Sequence, residues 1–260
     1  MATLLNYKIT QPETELHATP ILLIHGLFGD MNNLGMIARS LTDYTTIQVD
    51  ARNHGDSFHS DEMNYAAMAE DIVALLDALN IPEVTIIGHS MGGKVAMKVT
   101  EYIPEKIKNL IVIDVAPVAY HVHRHTEIFA ALNAVSGANI TDRKEAAELM
   151  RTILDEEFVI QFLLKSFKQG TWKFNVATLQ DRYLEIIGWQ DVPTFTKPTL
   201  FIIGGESGYV RKEDQALITA QFPNATAKVI AGAGHWVHAQ KTDAVLRTIH
   251  TFLDEHNGYI

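Results

Sequence analysis

Short apolar runs rich in β-branched residues recur along the chain: Ile21 to Ile24, Thr45 to Val49, Val84 to Ile87, Leu110 to Ile113, Leu200 to Ile203 and Ala227 to Ile230. None keeps strict polar alternation. Each therefore predicts a strand buried on both faces of a mostly parallel sheet. Asn6 to Thr10 and Glu15 to His17 are weaker runs, expected as an antiparallel pair at the start. Helical spacing separates the strong runs. Leu34 to Leu41 is short. Tyr65 to Leu79 puts Ala69, Ile72, Val73, Leu76 and Leu79 on one face, and Pro82 follows its end. Ser90 to Tyr102 stops before Pro104, and Asp243 to Leu253 closes the chain. This alternation predicts a doubly wound α/β sheet.

One stretch breaks the pattern. From about Tyr120 to Trp189 no strand is expected. The spacing instead predicts helices over Glu127 to Val135, Asp142 to Leu154, Glu157 to Phe167 and Val176 to Ile187. That is too much helix for one crossover. It reads as a helical cap, residues 119–189, inserted over the carboxyl ends of the strands, where open α/β sheets bind ligands. Residues 1–118 and 190–260 then form the core.

Composition narrows the chemistry. The 260 residues include no cysteine, which excludes disulfides, thiolate metal sites and a cysteine nucleophile. The net charge of −10 disfavours nucleic acid and anionic membranes as partners. No apolar stretch approaches the roughly 18 residues a membrane span needs. Met1 to Thr10 lacks a basic segment followed by an apolar run, so no signal peptide is expected and the cytoplasm is the default location.

The candidate chemistry centres on Gly88-His89-Ser90-Met91-Gly92, which follows a buried run and opens a helix. A serine on such a sharp strand-to-helix turn is raised above the sheet as a nucleophile, with small residues needed on both flanks. A serine hydroxyl needs a base. His235, in Ala231-Gly232-Ala233-Gly234-His235-Trp236, follows the last strand and stands last in the chain order that such sites use. Backbone N–H groups of Met91 and Leu27 are the expected oxyanion donors, Leu27 lying in His25-Gly26-Leu27-Phe28-Gly29. His25 is expected to orient that loop. The acid that holds the histidine tautomer has two candidates. Glu206 lies beside Ser207, which occupies the commoner position of the acid. Asp114 ends the preceding strand and is preferred.

These motifs, with Asp50-Ala51-Arg52-Asn53-His54-Gly55-Asp56-Ser57, resemble the α/β-hydrolase superfamily. Asp114-Val115-Ala116-Pro117, His125-Thr126-Glu127-Ile128-Phe129 and Phe162-Leu163-Leu164-Lys165-Ser166-Phe167 extend the resemblance to the bacterial YbfF-type esterases over nearly the whole chain. The resemblance implies hydrolysis of short- to medium-chain acyl esters, with acyl-CoA thioesters as a second class, a helical cap and no metal or other cofactor. In that group the acid follows the sixth strand, which supports Asp114. Asn53 stands where the superfamily commonly has glycine, and asparagine tolerates a left-handed backbone.

His121, His123 and His125 share a face only if extended and read as packing or substrate-lining residues rather than metal ligands. Phe28, His25, His89, Trp236, Phe129 and Phe162 are candidates for contact with substrate. Phe167 and Trp189 are weaker ones. Lys94 is expected at the surface or in an inter-loop contact, and Arg124, Lys165 and Arg182 as solvated charges that could attract an anionic headgroup. The same triad would also suit a C–C bond hydrolase or a cofactor-free haloperoxidase, and the fold would suit a non-catalytic ligand receptor. Dehalogenase and epoxide hydrolase chemistry would need a carboxylate at position 90. Oligomeric state is not legible.

Overall fold

The strong apolar runs all become strands. The computed structural model describes residues 3–258; residues 1–2 and 259–260, which fall in the two expected core segments, lie outside the described residues. The strands are β1 (Tyr7–Thr10), β2 (Ile21–Ile24), β3 (Thr46–Val49), β4 (Val84–His89), β5 (Ile107–Ile113), β6 (Phe167–Lys168), β7 (Thr171–Trp172), β8 (Thr199–Gly204) and β9 (Ala225–Ile230). Seven of them form one sheet in the order β1-β3-β2-β4-β5-β8-β9, parallel except for β1. β4 is central and buried throughout.

Helices cover both faces, as the alternation requires. They are α1 (Gly35–Ser40), α2 (Tyr65–Ala78), α3 (Met91–Tyr102), α4 (Thr126–Gly137), α5 (Arg143–Arg151), α6 (Glu157–Leu164), α7 (Val176–Asp181), α8 (Tyr183–Ile187), α9 (Gln215–Gln221), α10 (Val237–Gln240) and α11 (Thr242–His256). Successive side chains of a strand point to opposite faces. Leu22, Ile24, Ile86, Leu110 and Val112 accordingly feed one core with α2 and α3. Ile21, Leu23, Ile87, Ile111 and Ile113 feed a second with α1 and α11. No helix among the described residues is long and apolar enough to cross a membrane.

Three local expectations are corrected. β1 pairs with β3, Tyr7 opposite Val49, rather than with Glu15 to His17, which form no strand. The helix expected to run to Phe167 stops at Leu164. Phe167 and Lys168 instead pair with Trp172 and Thr171 across a turn whose two residues, Gln169 and Gly170, both have positive φ. That is the tight-hairpin geometry that follows strand twist. The expected helix over 176–187 is broken at Arg182 (φ −99°, ψ 16°), with no glycine or proline to mark the break in the sequence. α4 to α8 and the hairpin all lie between β5 and β8 in the chain.

Candidate active site

β4 delivers Ser90 and α3 leaves from it. Ser90 has φ 56° and ψ −120°, a backbone that L residues adopt at a cost of about 1–3 kcal/mol. Neighbours hold it there: its N–H bonds Ile113 O at 2.9 Å, and the two flanking glycines let the turn close. A Cβ on Gly88 would sit 2.2 Å from Gly92 O, and one on Gly92 would sit 2.2 Å from Ile24 O. Only glycine lets the start of α3 press so closely on β2 and β4.

Ser90, His235 and Asp114 form one hydrogen-bonded line. Ser90 Oγ is 2.8 Å from His235 Nε2, and His235 Nδ1 is 2.7 Å from Asp114 Oδ2. A carboxylate only accepts, so Nδ1 carries the ring proton and Nε2 offers its lone pair to the serine hydroxyl. Asp114 follows β5 with φ 53° and is fully buried. Its Oδ1 accepts the Gly204 N–H at 2.9 Å, and its Oδ2 also accepts the Ser207 hydroxyl at 2.5 Å. The residue at the commoner acid position thus donates to the carboxylate that sits one strand away. Glu206 is exposed; its backbone N–H bonds Ala233 O and its side chain does not meet His235.

The loop after β2 is pinned by two neutral histidines. His25 Nδ1 donates to Gly26 O at 2.7 Å and its Nε2 accepts the Ala51 N–H at 3.0 Å. His54 Nδ1 donates to Arg52 O, and its Nε2 accepts the Phe28 N–H at 3.1 Å. Burial lowers the pKa of His25, and lowers that of His54 to about 3, assisted by the neighbouring His25. Phe28 (φ 67°) and Asn53 (φ 64°) take left-handed backbones in the two turns that these rings join. The backbone N–H groups of Leu27 and Met91 meet no acceptor among the described residues.

Three more histidines surround the line, and burial holds all of them neutral. His89 is pushed well down, His125 and His238 each to about 4, with repulsion from His235 adding to burial. His89 Nε2 donates to His235 O at 2.9 Å, and His238 packs edge-on against His89 at 4.5 Å. His125 Nδ1 bonds the Tyr183 hydroxyl at 2.6 Å. Of these six rings, His235 alone bonds a carboxylate.

Ser90 and His235 line a cavity of about 710 Å³. Leu27, Phe28, Ile128, Phe158, Phe162 and Trp236 form its apolar wall, and Arg39, Asp56, Lys165 and Lys173 are among its charged residues. Trp236 packs against Phe158 and Phe162 at ring distances of 5.4 and 5.7 Å. Of the expected contact residues, Phe28, His89, Trp236 and Phe162 line the cavity. His25 does not; it is buried beneath the loop with both nitrogens engaged. Phe129 does not either; it backs Phe28 and Tyr183 from behind. Phe167 packs on Trp172, and Trp189 on Tyr65. His121 and His123 are exposed, His125 is half-buried and lines the cavity, and no group of metal-ligating side chains forms among the described residues.

Lys94 makes an inter-loop contact, one of the two roles expected of it, but from the interior rather than the surface. It is 1% exposed, and its amine donates to Ile187 O and Gly188 O at 3.3 and 2.9 Å. Tyr120 lies 4.6 Å away, with Tyr65 and Trp189 farther out. Burial lowers its pKa to about 7. Sequence reasoning also missed Tyr209, stacked on His235, and Phe158 and His238 in the cavity wall. The loop after β8 was the available signal for Tyr209, which follows Ser207 by two residues.

A family model described as alpha/beta hydrolase fold matches residues 19–242. The chain is 53% identical to Esterase YbfF of Escherichia coli K12, over 96% of this chain and 99% of that one. It is 36% identical to the sn-1-specific diacylglycerol lipase ABHD11 of Danio rerio, over 91% of this chain and 78% of that one. The solved structure of a marine microorganism esterase superposes with a TM-score of 0.90 at 35% identity, covering 97% of this chain and 100% of the other.

Proposed function

The chain belongs to the α/β-hydrolase family, with the YbfF-type esterases, and from that premise we propose that it hydrolyses short- to medium-chain acyl esters through an acyl-enzyme on Ser90. The observation that carries the reading is the unbroken line from Ser90 Oγ through His235 to Asp114 at the wall of a cavity with an apolar side. His235 Nε2 takes the hydroxyl proton as Oγ attacks the ester carbonyl. Asp114 keeps the proton on Nδ1 and stabilises the imidazolium that forms. The N–H groups of Met91 and Leu27 receive the oxyanion. The imidazolium then protonates the departing alcohol. Water, deprotonated by the same ring, attacks the acyl-enzyme, and the proton returns to Ser90 Oγ as the acid leaves.

Residues 119–189 act in this reading as a cap that encloses the acyl chain. The support is that Ile128, Phe158 and Phe162 come from this segment, whereas Leu27 and Trp236 come from loops at the strand ends. Acyl-CoA thioesters are the second substrate class, since a thioester carbonyl is open to the same attack. The test is a panel of acyl esters and acyl-CoAs graded by chain length, run with the chain and with folded Ser90→Ala. Turnover of short and medium esters by the chain alone is expected. Turnover by both proteins, or by neither, overturns the reading.

A further inference from the structure

Tyr209 covers one face of the His235 imidazole, with ring centroids 3.7 Å apart and planes within 16°. The guanidinium of Arg124, just before α4, stands 4.3 Å from the centre of the Tyr209 ring, and its Nη2 donates to Gly208 O at 3.3 Å. The Tyr209 backbone is fixed independently of its ring. Its N–H bonds Ser207 Oγ at 3.2 Å, whose hydroxyl bonds Asp114, and its carbonyl accepts the Tyr120 hydroxyl at 2.6 Å. The hydroxyl of Tyr209 takes no part in these contacts.

We propose that Tyr209 is a positioning residue for His235, its ring face holding the imidazole in line between Asp114 and Ser90 while Arg124 holds Tyr209. Two hydrogen bonds fix the ends of an imidazole but leave it free to tilt about the line joining them. A flat neighbour at stacking distance removes that freedom. The same face attracts positive charge, so the contact strengthens as His235 takes the serine proton and becomes a cation. It therefore favours the transition state over the resting state. The ring does this work, and the phenol oxygen does not.

The inference rests on His235 being the base, and the experiment separates the two claims. kcat and KM are measured on the best ester of the panel, with thermal melting and the rate at which a fluorophosphonate labels Ser90, for wild type, Tyr209→Phe, Tyr209→Leu and Arg124→Met. Tyr209→Phe is expected to keep wild-type kcat. Tyr209→Leu should lose about tenfold to a hundredfold in kcat, the scale of a misplaced catalytic group, with KM little changed and labelling slowed in step. Arg124→Met, at an exposed position, should lose about twofold to fivefold, the worth of an exposed cation–π contact. Wild-type kcat in Tyr209→Leu overturns the proposal, as does a loss in Tyr209→Phe equal to that in Tyr209→Leu. Where Tyr209→Leu does not fold, wild-type kcat in Arg124→Met overturns it. Failure of the underlying reading looks different, because wild type itself would then not label at Ser90.

Discussion

His235 Nδ1 lies 2.7 Å from Oδ2 of Asp114, a residue 121 positions earlier in the chain, while Glu206, far nearer in sequence, faces solvent. The acid of the relay is therefore expected on β5's end and not on β8's. Asp114→Asn should lower kcat by about two to four decades, since an amide lets the imidazole take the wrong tautomer and leaves its cation unstabilised. Glu206→Gln should stay near wild type. Steady-state rates on one ester decide it, and the reverse ranking would contradict the assignment.

Acid should loosen the fold through the histidines that it holds neutral. His125 and His238 have pKa values of about 4 in the folded chain, against an ordinary value of 6.5, because burial disfavours the charged ring. The unfolded chain thus binds more protons between these values. Their contribution is fully present above pH 6.5 and is lost as pH falls towards 4, each on the order of 3 kcal/mol. Urea unfolding across that range should show the loss, and a His125→Asn, His238→Gln double variant should show less of it. An equal slope in both proteins would contradict the account.

Lys94 should make the opposite mark in alkali. Its folded pKa of about 7 lies below the ordinary 10.5, so the folded chain releases this proton first. The penalty for burying the ammonium is felt in full below pH 7 and is lifted as pH rises towards 10.5. Wild type should therefore gain on Lys94→Met by about 2–3 kcal/mol between pH 7 and pH 9. The absolute difference also contains the two carbonyls left without a donor, but the slope does not depend on them. A pH-independent difference between the two proteins would mean that the amine is not neutralised in place.

These effects also mark where the sequence stops being readable. β2, β4, β5 and β8 were legible because burial on both faces demands unbroken apolar runs, and the turn at Ser90 because its glycines admit no Cβ. The helical stretch between β5 and β8 was legible as helix, but not its hairpin, where apolar Phe167 continues the helical spacing and only the Gln169-Gly170 turn breaks it. Ser90 and His235 could be named from local motifs. Asp114 could be preferred to Glu206 because Ser207 holds the commoner acid position, but both follow strands and only reach separates them. The burial of Lys94 depends on Tyr65, Tyr120 and Trp189, which arrive from three distant segments. The stack of Tyr209 on His235 likewise joins two loops that only the β8–β9 pairing brings side by side.

Ser90 should carry the acyl group during turnover. Mass analysis of peptides from the chain, quenched in acid while it turns over an ester with a fast-leaving alcohol, reads this out. One acyl mass is expected on the peptide containing Ser90, absent in Ser90→Ala, and accumulating further in variants that slow deacylation. Sustained turnover by the chain with the acyl mass on another residue, or undiminished turnover by folded Ser90→Ala, would contradict it.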